Sequence, residues 1–404
     1  MSSPTVEQEP QTSRSLEVTA VRFGNTMIGG FVGEQEALLI PNIDPESPVD
    51  TLEVETNNLF APELDQAPIL QISEVQGSEG IFNATVLDVQ GVKYLFGRKV
   101  LEAASDGQPD AGALVMAELG TIRDIISTRE VWHPEGKDDL IEDPRAYQAE
   151  DGSTVIGVTV VRKALGNRTF PGLIELNSPG DLLTEPFPAP RIIDKYGGGN
   201  QTMPLGGDVE GKNATTLREN NFMYRPDGEN HTLRVLECTN DDVVYVGDIN
   251  FPENIPDAEY KIGTTTPPEW LNEREAFFVF HGITIIDGKY IYSIHTARLL
   301  REVDEIGRVS FSVDNISREA ILTPDSFPEL TNDRQVELHP EIRRVTYSCG
   351  GIPTRNEVGE LVSEELFVNQ GDMRTWNVVV AADEIIAGWN RTLPAGDLQT
   401  QPMA

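Results

Sequence analysis

Five clusters of short apolar segments recur along this chain, and that recurrence limits the possible fold more than any other feature. They fall at 80–101, 154–176, 215–225 with 232–246, 276–299, and 343–352 with 365–380. The clusters lie about 60–70 residues apart, and each is long enough for two to four strands. Turn residues break them, as in Val89-Gln90-Gly91. Evenly spaced groups of short strands with Gly, Pro and Asp turns point to radial repetition, so the reading is an all-β, five-bladed β-propeller. A large sandwich, or two stacked β domains, would give a similar spacing of strands. Helical periodicity is expected only over 111–126 and 296–303. Strand-like pieces at 16–21, 27–32 and 37–39 are expected to complete a blade or to pack outside the ring.

The chain has 404 residues, enough for a substantial core. Residues 1–15 are polar and acidic and read as a disordered extension. Residues 16–390 read as a single propeller, and 391–404 as a flexible tail. The N-terminus lacks the basic and apolar regions of a secretion signal, and no run of 18 apolar residues occurs, so a cytoplasmic location is expected. Cys238 and Cys349 fit buried thiols better than a disulfide framework. The formal charge is −35, with only 8 Lys among the 31 basic residues. Such a surface repels nucleic acid and anionic membranes and leaves room for a homo-oligomer. It fits either a protein suited to high salt or an ordinary acidic one.

Against that acidity, particular polar residues recur at corresponding places in the clusters. Phe82-Asn83 opens the first. Glu142-Asp143-Pro144-Arg145 opens the second, and Arg168 follows its next strand. Lys212-Asn213 opens the third, followed by Tyr224-Arg225-Pro226. Thr264 to Pro268 opens the fourth, which continues to Phe280-His281-Gly282. Cys349-Gly350-Gly351 opens the fifth, followed by Asp372. In a propeller the inner strands line a central funnel, so these residues would converge there. Pro144 restricts the residue before it, so Asp143 is expected in extended backbone at a loop–strand junction. Arg145 is suited to hold a carboxylate or phosphate bidentately.

Taken in order, these motifs resemble the β-mannoside phosphorylases and mannosidases of glycoside hydrolase family 130, from about Gly80 to Ile386. The resemblance implies a five-bladed propeller with Asp143 as general acid. It implies Arg145, Arg168, Lys212 and Arg225 around an anion pocket or the sugar, with Tyr224 beside them. It implies Asn83, Asn213, His281 and Asp372 as sugar contacts. The chain departs from the family in having Tyr224 where phosphorylases carry His, Asn369-Gln370-Gly371-Asp372 before the last strand, and Thr264-Thr265-Thr266 in the proline run. Phosphorolysis needs an acid and a cation cluster for phosphate, whereas inverting hydrolysis needs a second carboxylate as base. Glu269 and Glu337 are the candidates for that base. The expected activity is inverting phosphorolysis of β-mannosides with inorganic phosphate as co-substrate. Hydrolysis on the same scaffold and carbohydrate binding without catalysis are the alternatives. No metal-ligand spacing and no glycine-rich phosphate loop occurs, and no organic cofactor is implied.

The charge generates a test. The Debye length falls from about 30 Å at 0.01 M salt to about 3 Å at 1 M, so self-repulsion among surface carboxylates should fade over that range. Thermal unfolding followed by circular dichroism should show the melting temperature rising with sodium chloride, most steeply at the low end. A flat profile would mean that self-repulsion is a negligible part of the stability.

Overall fold

The computed structural model describes the segments 19–23, 26–30, 59–61, 68–102, 111–133, 139–149, 153–196, 207–218, 220–239, 242–328, 344–371 and 374–389. The chain divides into two units, Met1–Asn58 and Leu59–Ala404. In the first, Thr19–Phe23 pairs with Thr26–Gly30 as an antiparallel hairpin. The expected disordered stretch 1–15 and the tail 391–404 lie outside the described residues.

The second unit is the five-bladed propeller. Its first blade is Ile81–Val89, Val92–Glu102, Ala111–Leu119 and Ile125–Trp132. The second is Asp139–Gln148, Thr154–Arg162, Arg168–Leu176 and the short Arg191–Ile192. The third is Gly211–Arg218, Asn221–Pro226, Thr232–Cys238 and Val243–Asn250. The fourth is Lys261–Thr264, Glu275–Ile286, Lys289–Val303 and Val309–Asp314, with Glu269–Trp270 also paired to Glu275–Ile286. The fifth is Thr346–Arg355, Leu361–Gln370 and Arg374–Val380, completed by Ile69–Glu74. The first strands touch one another from the fifth blade through the first, second and third to the fourth, and Thr346–Arg355 of the fifth meets Lys289–Val303 of the fourth.

Ile69–Glu74 closes the ring. It pairs antiparallel with Arg374–Val380, in register from Trp376 opposite Glu74 to Val380 opposite Ile69. Without it, Arg374–Val380 would present an open edge of unpaired backbone groups. The sequence reading looked for a completing strand among residues 16–39. The strand that completes the blade lies further on, in a segment whose apolar content is too slight to stand out.

Each of the five apolar clusters sits between two blades. Leu87, Phe96 and Met116 pack on Ile156, Val158 and Ile174. Leu173 packs on Phe222 and Leu236. Met223 and Ile249 pack on Phe278 and Phe280. Phe277, Val279 and Ile294 pack on Leu366, Val368 and Val378. Phe367 closes the circle against Ile81, Leu95 and Val115. Each blade is therefore packed between two neighbours, and strands such as Ala111–Leu119 and Thr154–Arg162 read as continuous apolar runs, while outer strands such as Ile125–Trp132 are largely exposed. Each fully buried Leu, Ile or Phe contributes roughly 1.5–3 kcal/mol, so stability resides at the blade interfaces.

Burial on both faces also explains where sequence reasoning failed. The helical stretch expected over 111–126 is two strands, Ala111–Leu119 and Ile125–Trp132. The one expected over 296–303 is the far half of the long strand Lys289–Val303. Runs without alternation cannot be assigned by period alone. The helix Ala382–Trp389 was not anticipated. It inserts Ile385 and Trp389 into the cluster between the fourth and fifth blades.

His295 is buried in the fourth blade and stacks on Phe280 with ring centroids 5.3 Å apart. Its ring nitrogens meet Ser293 Oγ at 3.0 Å and Ser317 Oγ at 3.4 Å. Burial lowers its pKa to about 3, so the folded state holds it neutral. The folded value lies below the unfolded value of about 6.5. The stabilisation is therefore complete above about pH 6.5, and it is lost at about 1.4 kcal/mol per pH unit as the pH falls towards the folded pKa. Urea unfolding at pH 7, 6 and 5 should show His295→Gln losing less stability on acidification than the parent. Parallel declines would remove this histidine from the acid response.

Candidate functional site

The inner strands share one irregularity. In four blades the first strand carries one more residue than its partner at the same place. The register slips between Phe82 and Thr85, Glu142 and Arg145, Lys212 and Thr215, and Ser348 and Gly351. Such bulges re-aim a side chain out of the regular pleat. The residue that opens the bulge is Asn83, Asp143, Asn213 or Cys349. Three of these are left-handed, with φ of +48° at Asn83, +51° at Asp143 and +64° at Asn213. Asn and Asp are the non-glycine residues that tolerate this region best. In the fourth blade the interruption is longer. Thr265 to Pro268 separate Thr264, opposite Phe280, from Glu269, opposite Phe277.

Asp143 is thus neither extended nor at a loop–strand junction, as the sequence reading had it. It lies in mid-strand within Asp139–Gln148, in positive φ. The bulge overrides the preference that Pro144 imposes on the residue before it.

The three bulge residues converge with side chains from the fourth and fifth blades. Asn83 Nδ2 donates to Asp143 Oδ1 at 2.8 Å, and Asn83 N–H donates to Asn369 Oδ1 at 2.8 Å. The Tyr347 hydroxyl lies 3.5 Å from Asp143 Oδ2 and 3.2 Å from Asn213 Oδ1. Arg145 is fully buried. Its guanidinium donates to the Asp143 carbonyl at 2.8 Å, to the Thr264 carbonyl at 3.2 Å and to the Tyr347 hydroxyl. Burial pushes the Tyr347 phenol well above its ordinary value, more than the nearby Arg145 lowers it. Burial likewise pushes the Cys349 thiol up to about 12, so it is not a thiolate nucleophile.

His281 reaches this centre through a gap at Gly263, its cross-strand partner. A Cβ at position 263 would sit 2.4 Å from His281 Cε1 and 2.8 Å from Asn213 Nδ2. His281 Nδ1 meets the Thr264 carbonyl at 3.1 Å, which places the ring proton there and leaves Nε2 as an acceptor. Burial, then the charges of Arg225 and Arg145, hold this imidazole well below its ordinary pKa and therefore neutral.

Cations gather alongside. Lys212 and Arg225 are cross-strand partners in the third blade. Lys261, at the start of the fourth blade's inner strand, has its pKa lowered by burial and by Arg225 and Lys212, with Asp227 opposing. Arg225 is lowered by burial, and Arg145 adds to that while Tyr347, Tyr292 and Asp227 oppose it. Among the described residues its guanidinium makes one long hydrogen bond, to the Ile262 carbonyl at 3.4 Å. The four cations sit close enough to perturb one another inside a chain of net charge −35.

Of the residues singled out from sequence, Asn83, Asp143, Arg145, Asn213, His281, Arg225 and Lys212 are brought to this region. Arg145 serves the protein's own carbonyls there. Arg168 stands apart: it ion-pairs with Glu210 and lies over the Phe170 ring at 5.6 Å. Tyr224 is fully buried in the apolar cluster between the second and third blades. Glu269 pairs with Arg355 at 3.1 Å. Asp372 and Glu337 lie outside the described residues. Sequence reasoning missed Tyr347, Asn369, Tyr292 and Lys261. Tyr347 and Lys261 had a usable signal, lying two residues before Cys349-Gly350-Gly351 and three before the run from Thr264 to Pro268 respectively. Among the described residues no group of three or more His, Cys, Asp or Glu side chains is placed to hold a metal.

No protein-family model and no curated protein sequence matches the chain. Solved structures do. The chain is similar to a β-1,2-mannobiose phosphorylase from Listeria innocua, solved with β-1,2-mannobiose. That match has TM-score 0.54 and 13% identity, and it covers 83% of this chain and 98% of that one. It is also similar to a glycosyl hydrolase from Bacteroides ovatus, with TM-score 0.53 and 11% identity, over 80% of this chain and 92% of that one. The likeness is one of fold. It covers more than nine-tenths of each of those chains.

The gap at Gly263 can be tested without any substrate. Gly263→Ala forces a methyl into the His281 ring, and overpacking of this kind costs about 1–3 kcal/mol. A denaturant titration should show the variant losing stability in that range. An unchanged midpoint would mean that His281 is free to move aside.

Proposed function

We propose that this protein is an inverting carbohydrate-active enzyme that transfers a glycosyl unit from a β-mannoside to inorganic phosphate. Asp143 acts as the general acid and gives its proton to the glycosidic oxygen as the bond to the anomeric carbon breaks. Phosphate attacks that carbon from the opposite face, so the β-linkage becomes an α-glycosyl phosphate and the shortened sugar leaves with the proton. Asp143 regains its proton from solvent. Asn83 and Tyr347 hold the two carboxyl oxygens, which fixes the acid's direction. Asn213 and His281 present an amide and a neutral ring nitrogen to sugar hydroxyls. Lys212, Arg225 and Lys261 hold the phosphate.

The observation that carries this reading is the cation group beside Asp143. A chain with so large an acidic excess gains nothing in solubility from clustered, partly desolvated cations; Asp227 offsets part of their mutual repulsion, and a bound anion would offset the rest. Phosphate serves as the nucleophile and needs no second carboxylate, whereas hydrolysis does. The carbohydrate relatives support the substrate class through their fold.

Product analysis with β-linked manno-oligosaccharides, with and without inorganic phosphate, tests the proposal. Sugar phosphate should form only when phosphate is present. Asp143→Asn should lower turnover by about 10²–10⁴, the usual span for a lost general acid. Arg225→Ala should raise the KM for phosphate more than the KM for the sugar. Free mannose released without phosphate would assign hydrolysis instead, and binding without turnover would assign a lectin-like role.

A further inference from the structure

A row of side chains on one face of the fourth blade leads outward from the centre. Cross-strand partners share a face, as do residues two apart on one strand. Lys261, Ile283 and Tyr292 lie opposite one another, and Tyr290, opposite Ile285, continues the same face. At the inner end the Tyr292 ring lies 6.2 Å from His281 and 6.4 Å from Tyr347. At the outer end Tyr290 is 52% exposed, and its ring lies 5.5 Å from Tyr260 at an interplanar angle of 35°. The Lys261 ammonium lies 5.7 Å from the Tyr260 ring centre. Ile285 beside them is 44% exposed. The catalytic scheme above uses none of the three tyrosines.

This surface has the chemistry of a sugar platform. A pyranose ring has an apolar C–H face and an edge of hydroxyls, and a tyrosine has an apolar face with a hydroxyl at its tip. Small-molecule sites combine aromatic walls with a few convergent polar groups, which here are the tyrosine hydroxyls. The net charge of −35 repels polyanions but not a neutral glycan. Two residues of strand span about 7 Å, so Tyr292 and Tyr290 reach roughly one sugar unit further out.

We propose that Tyr260, Tyr290 and Tyr292 form an outer carbohydrate subsite, which takes the later units of a neutral oligosaccharide whose reacting end lies at Asp143. The proposal rests on the carbohydrate reading above and adds a preference for chains longer than a disaccharide.

The test compares β-1,2-linked mannobiose with mannotetraose, using the full chain and the double variant Tyr260→Ala/Tyr290→Ala. Both turnover and calorimetric binding are measured. The parent should prefer the tetrasaccharide, and the double variant should lose about tenfold of that preference in kcat/KM and in affinity. Tyr290 is exposed enough that the variant should fold, and its melting temperature checks this. A tetrasaccharide-to-disaccharide ratio that is the same in parent and variant overturns the subsite and leaves the carbohydrate reading standing. A parent that binds neither sugar defeats the carbohydrate reading and the subsite with it. A variant that changes sedimentation behaviour while sparing the ratio assigns this face to self-association and overturns the subsite.

Discussion

The buried guanidinium of Arg145 is the interaction on which the centre of this molecule depends. A charge removed from water is costly unless it is surrounded by acceptors of good geometry. Arg145 meets that requirement by donating to the carbonyls of Asp143 and Thr264 and to the Tyr347 hydroxyl, which come from three different blades. Its planar, multi-donor head suits such a junction, where a lysine would supply a single point charge. Burial disfavours the charge on Arg145, but its pKa is raised on balance, with the Asp143 carboxylate and the hydrogen bond to Tyr347 among the causes, so the group stays charged. The side chain that sequence reasoning offered to a phosphate is the peg that holds the inner strands in place.

Asp143 follows from that peg. Its backbone lies in a region sparsely populated by residues other than glycine, and such strain persists only where the surroundings determine it several times over. Here Arg145 binds its carbonyl, Asn83 binds one carboxyl oxygen and Tyr347 lies near the other. The left-handed bulges at Asn83 and Asn213 repeat the device, so three neighbouring blades each contribute a polar side chain. The fifth blade supplies Tyr347 and Asn369, and that blade is complete only when Ile69–Glu74 joins Arg374–Val380. Ring closure is therefore a condition for the site as well as for the fold.

Charge is distributed unevenly between the site and the rest of the chain. The chain is strongly acidic overall, yet Arg145, Lys212, Arg225 and Lys261 gather near the axis. Under the proposed function, a small anion that enters would be held by these cations at short range, where screening is weak. A large polyanion meets the repulsive exterior first. A neutral glycan feels neither effect strongly and depends on shape, hydrogen bonds and aromatic surface, the part the proposed fourth-blade tyrosines would play.

Part of this was legible in the linear chain. Five groups of short strands at regular spacing pointed to a repeated unit, although a sandwich would space its strands similarly, and polar residues recurring at the same place in each group pointed to a common centre. Phe82-Asn83, Glu142-Asp143-Pro144-Arg145 and Lys212-Asn213 marked three inner strands, because a bulge needs Asn or Asp where φ is positive. The sequence could not assign runs without alternation, so two strand regions read as helix, and the closing strand, short and largely exposed, carried too little apolar signal to stand out. It could not separate Arg225, whose donors are largely unused, from Arg145, whose donors are spent on the backbone, or from Arg168, which is paired with Glu210. Nor could it place Tyr347, which lies 204 residues from Asp143 along the chain. Local pattern determines which residues suit a strand or a bulge. Only the closed ring determines which of them meet, because contacts between blades are set by the packing of sheets and not by distance along the chain.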